Sequence, residues 1–173
     1  MTEQQSFDES EQHLEGLDAA FMDGVKRLEA GNIDGAAEAF RRILKKEPRL
    51  AEPRIELARI LVETGQLREA EAEIRESLRI LEGGGLWLDS LPEDQVKSVA
   101  FGMLAEVLRR LAETDDVVFG DPDAWRAIVD ESHAAFRKAR ELDPNNAHAD
   151  YWAGGLDVDS GTEAPIKEDE PTD

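Results

Sequence analysis

The chain has no cysteine, which removes disulfides, thiolate metal ligands and a thiol nucleophile together. Histidine is scarce as well: His13, His133 and His148 lie far apart and share no ligand spacing with Asp or Glu, so no metal is expected. Long apolar runs are missing. Nothing approaches the ~18 residues that suggest a membrane span. The first ten residues lack the basic-then-apolar order of a signal peptide. These features read as a soluble, cytoplasmic protein. No serine stands in a nucleophile-elbow context, and no glycine loop follows a strand to cradle phosphate. Gly83-Gly84-Gly85 follows a helical stretch and reads as a flexible connector. Asp157-Val-Asp159-Ser-Gly161 with Glu168 only echoes a calcium loop, its glycine one place early. The expectation is a protein with no catalytic residue, no cofactor and no enzymatic activity.

Basic residues are also short, 20 Lys and Arg against 40 Asp and Glu, for a net charge of -20. The acids gather at the ends. Residues 1–16 hold five and no Lys or Arg, and residues 157–173 hold seven against Lys167. Such a field repels phosphate-rich surfaces, so neither nucleic acid nor membrane is an expected partner. Residues 1–9 and 157–173 read as disordered acidic ends, with residues 10–156 as the one domain between them.

What is present is a block that occurs twice, 34 positions apart. Gly31, Ala36, Phe40 and Leu44 return as Gly65, Ala70, Ile74 and Leu78. A helical pattern starts near Ser10 and carries Leu14, Leu17, Phe21, Val25 and Leu28 at spacings of three and four. Gly31 ends it, Asp34 reads as the next N-cap, and a second helix runs from about Gly35 to Lys46 before Pro48. The second copy gives helices from Pro53 to Glu63 and from Arg68 to Leu81, with Gly65 between them. Ala36 and Ala70 are small where two helix backbones cross, and Phe40 and Ile74 are large to fill the gap beyond. The charges from Arg68 to Arg79 read as a solvated face.

After this the regularity breaks. Glu82-Gly-Gly-Gly-Leu-Trp-Leu-Asp89 connects to a helix opened by the capping box Ser90-Leu-Pro-Glu93, with Pro92 in its first turn. That helix reaches about Ala112 with Phe101, Leu104, Ala105 and Leu108 on one face. Its partner, with Phe136, Ala139 and the closing Leu142-Asp-Pro-Asn-Asn146, comes about fifteen residues late. The insertion holds Thr114 to Gly120 and an early helix start at Asp121-Pro122. Ala147 to Trp152, stopped by Gly154-Gly155, has the length of a short capping helix.

The block resembles the tetratricopeptide repeat family. The first copy supplies Gly24, Gly31, Ala36, Phe40 and Pro48, and the second supplies Leu57, Ala58, Gly65, Ala70 and Ile74. Ala20 stands where the family has a large residue, and Glu82 where it has a closing proline. The resemblance implies an all-α, right-handed solenoid of about three helical hairpins plus a C-terminal cap. The units are about 10–48, 49–82 and 90–146, with the cap at 147–155. A lone hairpin cannot bury its apolar face, so such units stack.

The resemblance also implies a binding surface. First helices of successive hairpins line a concave groove that takes a segment of another protein. Carried over by position, the groove residues are Phe21, Val25 and Leu28, then Ile55, Arg59 and Val62, then Arg109, with Glu29, Glu63, Glu106 and Arg110 beside them. The Lys and Asn that clamp a terminal carboxylate in some members are replaced by Phe21, Val25, Ile55 and Arg59. The same apolar stripe reads equally well as core packing. Trp87, between Leu86 and Leu88, is either a loop contact or a seal over the irregular hairpin.

The function expected is a non-catalytic protein-binding scaffold. A cytoplasmic chaperone for a hydrophobic secretion substrate, as small acidic bacterial proteins with three such repeats can be, is one alternative. A structural subunit that self-associates through Trp87 or Tyr151-Trp152 into a homo-oligomer is another.

Overall fold

Glycines set the hairpin spacing. A computed structural model describes residues 3–85 and 92–146, with side chains from residue 16 onward. Its first two helices are α1 (Glu3–Glu29) and α2 (Ile33–Lys46), and the next two are α3 (Glu52–Glu63) and α4 (Leu67–Glu82). Between them Gly31 and Gly65 take φ of 77° and 78°, the left-handed region that a Cβ disfavours. Asn32 N–H donates to Arg27 O at 2.8 Å, and Gln66 N–H donates to Leu61 O at 2.8 Å. Each pair closes its helix with the same Schellman geometry. The 34-residue echo is thus a repeat of backbone chemistry as well as of side chains.

Some boundaries differ from expectation. Asn32, not Asp34, caps α2: its Oδ1 accepts from Gly35 N at 3.0 Å. Asp34 is one residue inside the helix, where its charge still favours the N-terminal dipole. α1 begins at Glu3, seven residues before the start at Ser10 that apolar spacing gave. The segment has no Gly or Pro to stop a helix. The glycine run after α4 is partly a helix closure, since Gly84 takes φ 73° and Gly85 N–H donates to Ile80 O at 2.7 Å.

The third hairpin pairs α5 (Glu93–Ala112) with α7 (Pro122–Leu142), and the insertion between them holds a four-residue α6 (Asp115–Val118). Pro92 is the cap of α5, not part of its first turn, because its extended ψ of 143° lies outside the helix. Asp121 caps α7 as its sequence suggests, accepting from Asp123 N at 3.0 Å ahead of Pro122. Ser90, the Leu86-Trp87-Leu88 connection, the Tyr151-Trp152 cap and the tail from Asp157 lie outside the described residues.

Each helix packs on the next, and α3 also lies beside α5. The core has two parts that share α3. Leu17, Ala36, Phe40, Ile43 and Leu50 gather with Leu57 and Ile60 on one side. Ile55, Leu61, Ala70, Ile74 and Leu81 join Leu104, Leu108 and Phe136 on the other. Ala36, Ala58, Ala70, Ala105 and Ala139 are all fully buried, as close helix approach demands. Phe40 lies within its own hairpin, across Gly24 and 5.5 Å from the Phe21 ring, instead of bridging to the next unit alone.

Buried serines add hydrogen bonds at the crossings. Ser77 Oγ donates to Ala51 O at 3.1 Å. In the third hairpin the bonds are reciprocal: Ser98 donates to Ala139 O at 2.7 Å, and Ser132 to Ala105 O at 2.8 Å. The charged face of α4 does more than meet water. Arg75 reaches α7 with two bonds to Glu131, at 2.7 and 2.9 Å, and Glu73 takes Arg54 of α3 at 2.8 Å.

Candidate groove between the second and third hairpins

Because α3 and α5 are the first helices of adjacent hairpins, their facing sides leave a groove. It encloses about 510 Å³. Val62 comes from α3, and Val99, Gly102 and Met103 come from α5. Arg59 and Glu63 stand on one lip, with Glu106 and Arg110 on the other and Asn146 at the end. Val99 is 40% exposed, unusual for a large apolar side chain on a helix that otherwise buries its branched residues. Asn146 Nδ2 donates to Ser98 Oγ at 2.9 Å, which fixes the end of the chain leaving α7 against α5.

The charges on the lips are arranged in opposed pairs. Burial alone would push the Glu106 carboxyl up, but hydrogen bonds from Arg109 and Arg110 overcome this and hold it below the usual range. Arg110 Nε donates to Glu106 at 2.7 Å, and Arg109 makes two bonds of 3.0 Å to the same carboxylate. On α3 the balance is reversed. Burial pushes the Glu56 carboxyl up despite Arg59, and Glu63 adds to the rise.

The expected groove residues divide. Arg59 and Val62 line the groove, although Val62 is only 6% exposed and also belongs to the larger core. Phe21, Val25 and Leu28 are half-buried and pack against the first core cluster. Ile55, 3% exposed, belongs to the larger core. Arg109 turns toward Glu113 and the Trp125 side of α5, while its neighbour Arg110 takes the groove position. Trp87 lies outside the described residues. Val99, Gly102, Met103 and Asn146 were not anticipated. Val99, Met103, Glu106 and Arg110 follow at steps of three and four, a stripe that helical phase alone would have found. Among the described residues no group of three or more His, Asp or Glu is placed to hold a metal. No described helix is long and apolar enough to cross a membrane.

Residues 27–81 match the family model of the tetratricopeptide repeat. Over those residues the chain carries the tetratricopeptide repeat. The matched stretch holds the last three residues of α1 with α2, α3 and nearly all of α4, and leaves most of α1 and the third hairpin outside. Solved structures extend the likeness in fold. The Arabidopsis OM64 TPR domain, 15% identical, aligns over 85% of this chain and 98% of its own with a TM-score of 0.61. The Yersinia enterocolitica type III secretion translocator chaperone SycD, 12% identical, aligns over 86% of this chain and 96% of its own at 0.59. No curated protein matches the chain.

Proposed function

We propose that this protein is a non-catalytic scaffold that binds an apolar segment of another protein in the groove between α3 and α5. One observation carries the reading: Val99 stands 40% exposed in a groove with Val62 and Met103, in a repeat fold. Burying such a patch supplies affinity at about 25 cal/mol per Å² of apolar surface. Arg59 and Arg110 face it from opposite lips and set the register of a segment with acidic side chains. Phe21, Val25 and Leu28 extend the path along the first hairpin, where they keep partial exposure. Arg109 acts on the site by holding Glu106.

The test is co-purification from the source organism with the wild type and with Val99→Glu/Met103→Glu. Helical circular dichroism must be the same for both. Loss of the main partner from the variant is the expected result. An unchanged partner set with intact helicity would remove the groove as the site.

The likeness to SycD, covering 96% of that chaperone's chain, supports a narrower second reading in which the segment belongs to a hydrophobic secretion substrate. The identity of the captured protein decides it. An exported apolar protein favours the chaperone, and a resident protein favours the general scaffold.

A further inference from the structure

The insertion that separates the third hairpin from its relatives displays an apolar knob. Phe119 is 84% exposed and Val118 49%, beside Trp125 at 40%. They are not held loosely. Phe119 N–H donates to Asp115 O at 3.0 Å, and the Trp125 indole N–H donates to Ala112 O at 3.1 Å. A Cβ on Gly120 would lie 2.6 Å from Asp116 O, so the turn behind the knob admits only glycine without a shift. Residues 113–125 contain five carboxylates and no Lys or Arg. The knob is therefore apolar and acid-rimmed, on a backbone turn closed by hydrogen bonds.

The opposite surface exists on the same chain. Leu17 and Ala20 of α1 with Ala39 and Ile43 of α2 line a depression of about 560 Å³, rimmed by Arg42, Lys45 and Lys46, with Asp23 also at its edge. Arg42, Lys45, Lys46 and the adjacent Arg41 are exposed, and none forms an ion pair among the described residues. Of the five carboxylates, Asp115 and Asp121 also form none among the described residues, while Glu113, Asp116 and Asp123 are held by Arg109, Arg68 and Arg126.

We propose that the Phe119 knob of one molecule seats in the α1–α2 depression of a second copy, with Asp115 facing Lys45 and Lys46. The two surfaces differ, so the contact is heterologous and each pair keeps one free knob, on one molecule, and one free depression, on the other. Assembly then continues past the dimer, into rings or open chains. A contact built on one large side chain belongs to the weak, transient class, so assembly is concentration-dependent. The groove between α3 and α5 is not used, and the proposal stands or falls independently of partner binding there.

Sedimentation velocity and light scattering on the full chain, up to about 1 mM, test this with two variants. Phe119→Ser removes the knob, and Lys45→Glu/Lys46→Glu reverses the rim. All three positions are exposed, so folding is retained and is checked by circular dichroism. The wild type is expected to grow past the dimer with concentration. Each variant alone is expected to stay monomeric, with association weakened at least about tenfold. An equimolar mixture of the two variants, having one intact knob and one intact depression, is expected to form dimers and nothing larger. A wild type that stays monomeric throughout overturns the proposal. So does assembly unaffected by Phe119→Ser, or a mixture that remains monomeric. If Phe119→Ser instead costs the protein a different partner in co-purification while self-assembly is absent, the knob serves that partner and the second copy is ruled out.

Discussion

Phe40 lies across Gly24. A Cβ on Gly24 would stand 2.6 Å from Phe40 Cε1 and 3.0 Å from its Cζ. The ring is fully buried and cannot swing away. Gly16, two turns earlier on α1, has nothing within 4 Å of the same position. Alanine in a helix interior is better than glycine by about 1 kcal/mol. Gly16→Ala should therefore raise the denaturation midpoint, whereas at Gly24 overpacking of about 1–3 kcal/mol outweighs that gain. Gly24→Ala should lower the midpoint. Urea melts of the two variants give opposite signs if the packing is as described.

Phe21 shares this contact, with its ring 5.5 Å from that of Phe40 and tilted by 47°. Phe40→Ala should cost about 3–5 kcal/mol. A double-mutant cycle with Phe21→Ala should recover a coupling of about 0.5–1.5 kcal/mol. Zero coupling would mean that Phe21 is free for a partner and not committed to the hairpin.

The buried serines should rank by what each leaves behind. Ala139 O keeps the Asp143 N–H, at 3.0 Å, when the Ser98 hydroxyl is removed. Asn146 Nδ2, however, loses the acceptor it holds at 2.9 Å. Ser98→Ala should cost about 1–2 kcal/mol, and Ser77→Ala and Ser132→Ala about 0.5–1.5 each. Thermal unfolding of the three variants tests the order, and a neutral Ser98→Ala would contradict it.

Two carboxylates, Glu106 on a groove lip and Glu56 on α3, should respond to pH with opposite sign. The folded-state pKa of Glu106 is depressed: burial acts upward, but the bonds from Arg109 and Arg110 prevail. Its stabilisation is present above the unfolded carboxylate value and is lost as pH falls through the lower folded value. Glu106→Gln should be less stable than wild type at pH 7, with the gap closing in acid. The folded pKa of Glu56 is raised, chiefly by burial. Its contribution is present below the unfolded value and is lost as pH rises through the folded one. Glu56→Gln should gain on wild type as pH rises from acid to neutral. Denaturant melts from pH 3 to pH 7 measure both trends, and parallel curves would refute the assignment.

Much of the fold was readable because the repeat writes its constraints locally. Gly31 and Gly65 meet a backbone demand that no distant contact alters, and Ala36, Ala70, Phe40 and Ile74 mark helix crossings by size alone. Asn32 was passed over for Asp34 because both are good caps, and only backbone dihedrals tell which lies outside the helix. The division of the groove residues was hidden for a different reason. An apolar stripe on a first helix looks the same whether it faces a core or a groove, so the burial of Ile55 and Val62 could not be told from the exposure of Val99. Arg109 and Arg110 are adjacent in sequence but about 100° apart around the helix, and that rotation sends one toward Trp125 and the other into the groove. The exposure of Phe119 was not legible at all, since Val117, buried two residues before it, is equally apolar.

The central claim is that a partner protein lies in the groove between α3 and α5. Site-specific photo-crosslinking in the source organism tests it most directly, with a benzophenone amino acid at Val99 in the groove or at Arg79 on exposed α4. The account predicts a dominant adduct from Val99, absent from Arg79 and lost when Arg59→Glu/Arg110→Glu is added. No adduct at Val99, or the same adducts from both positions, would contradict it.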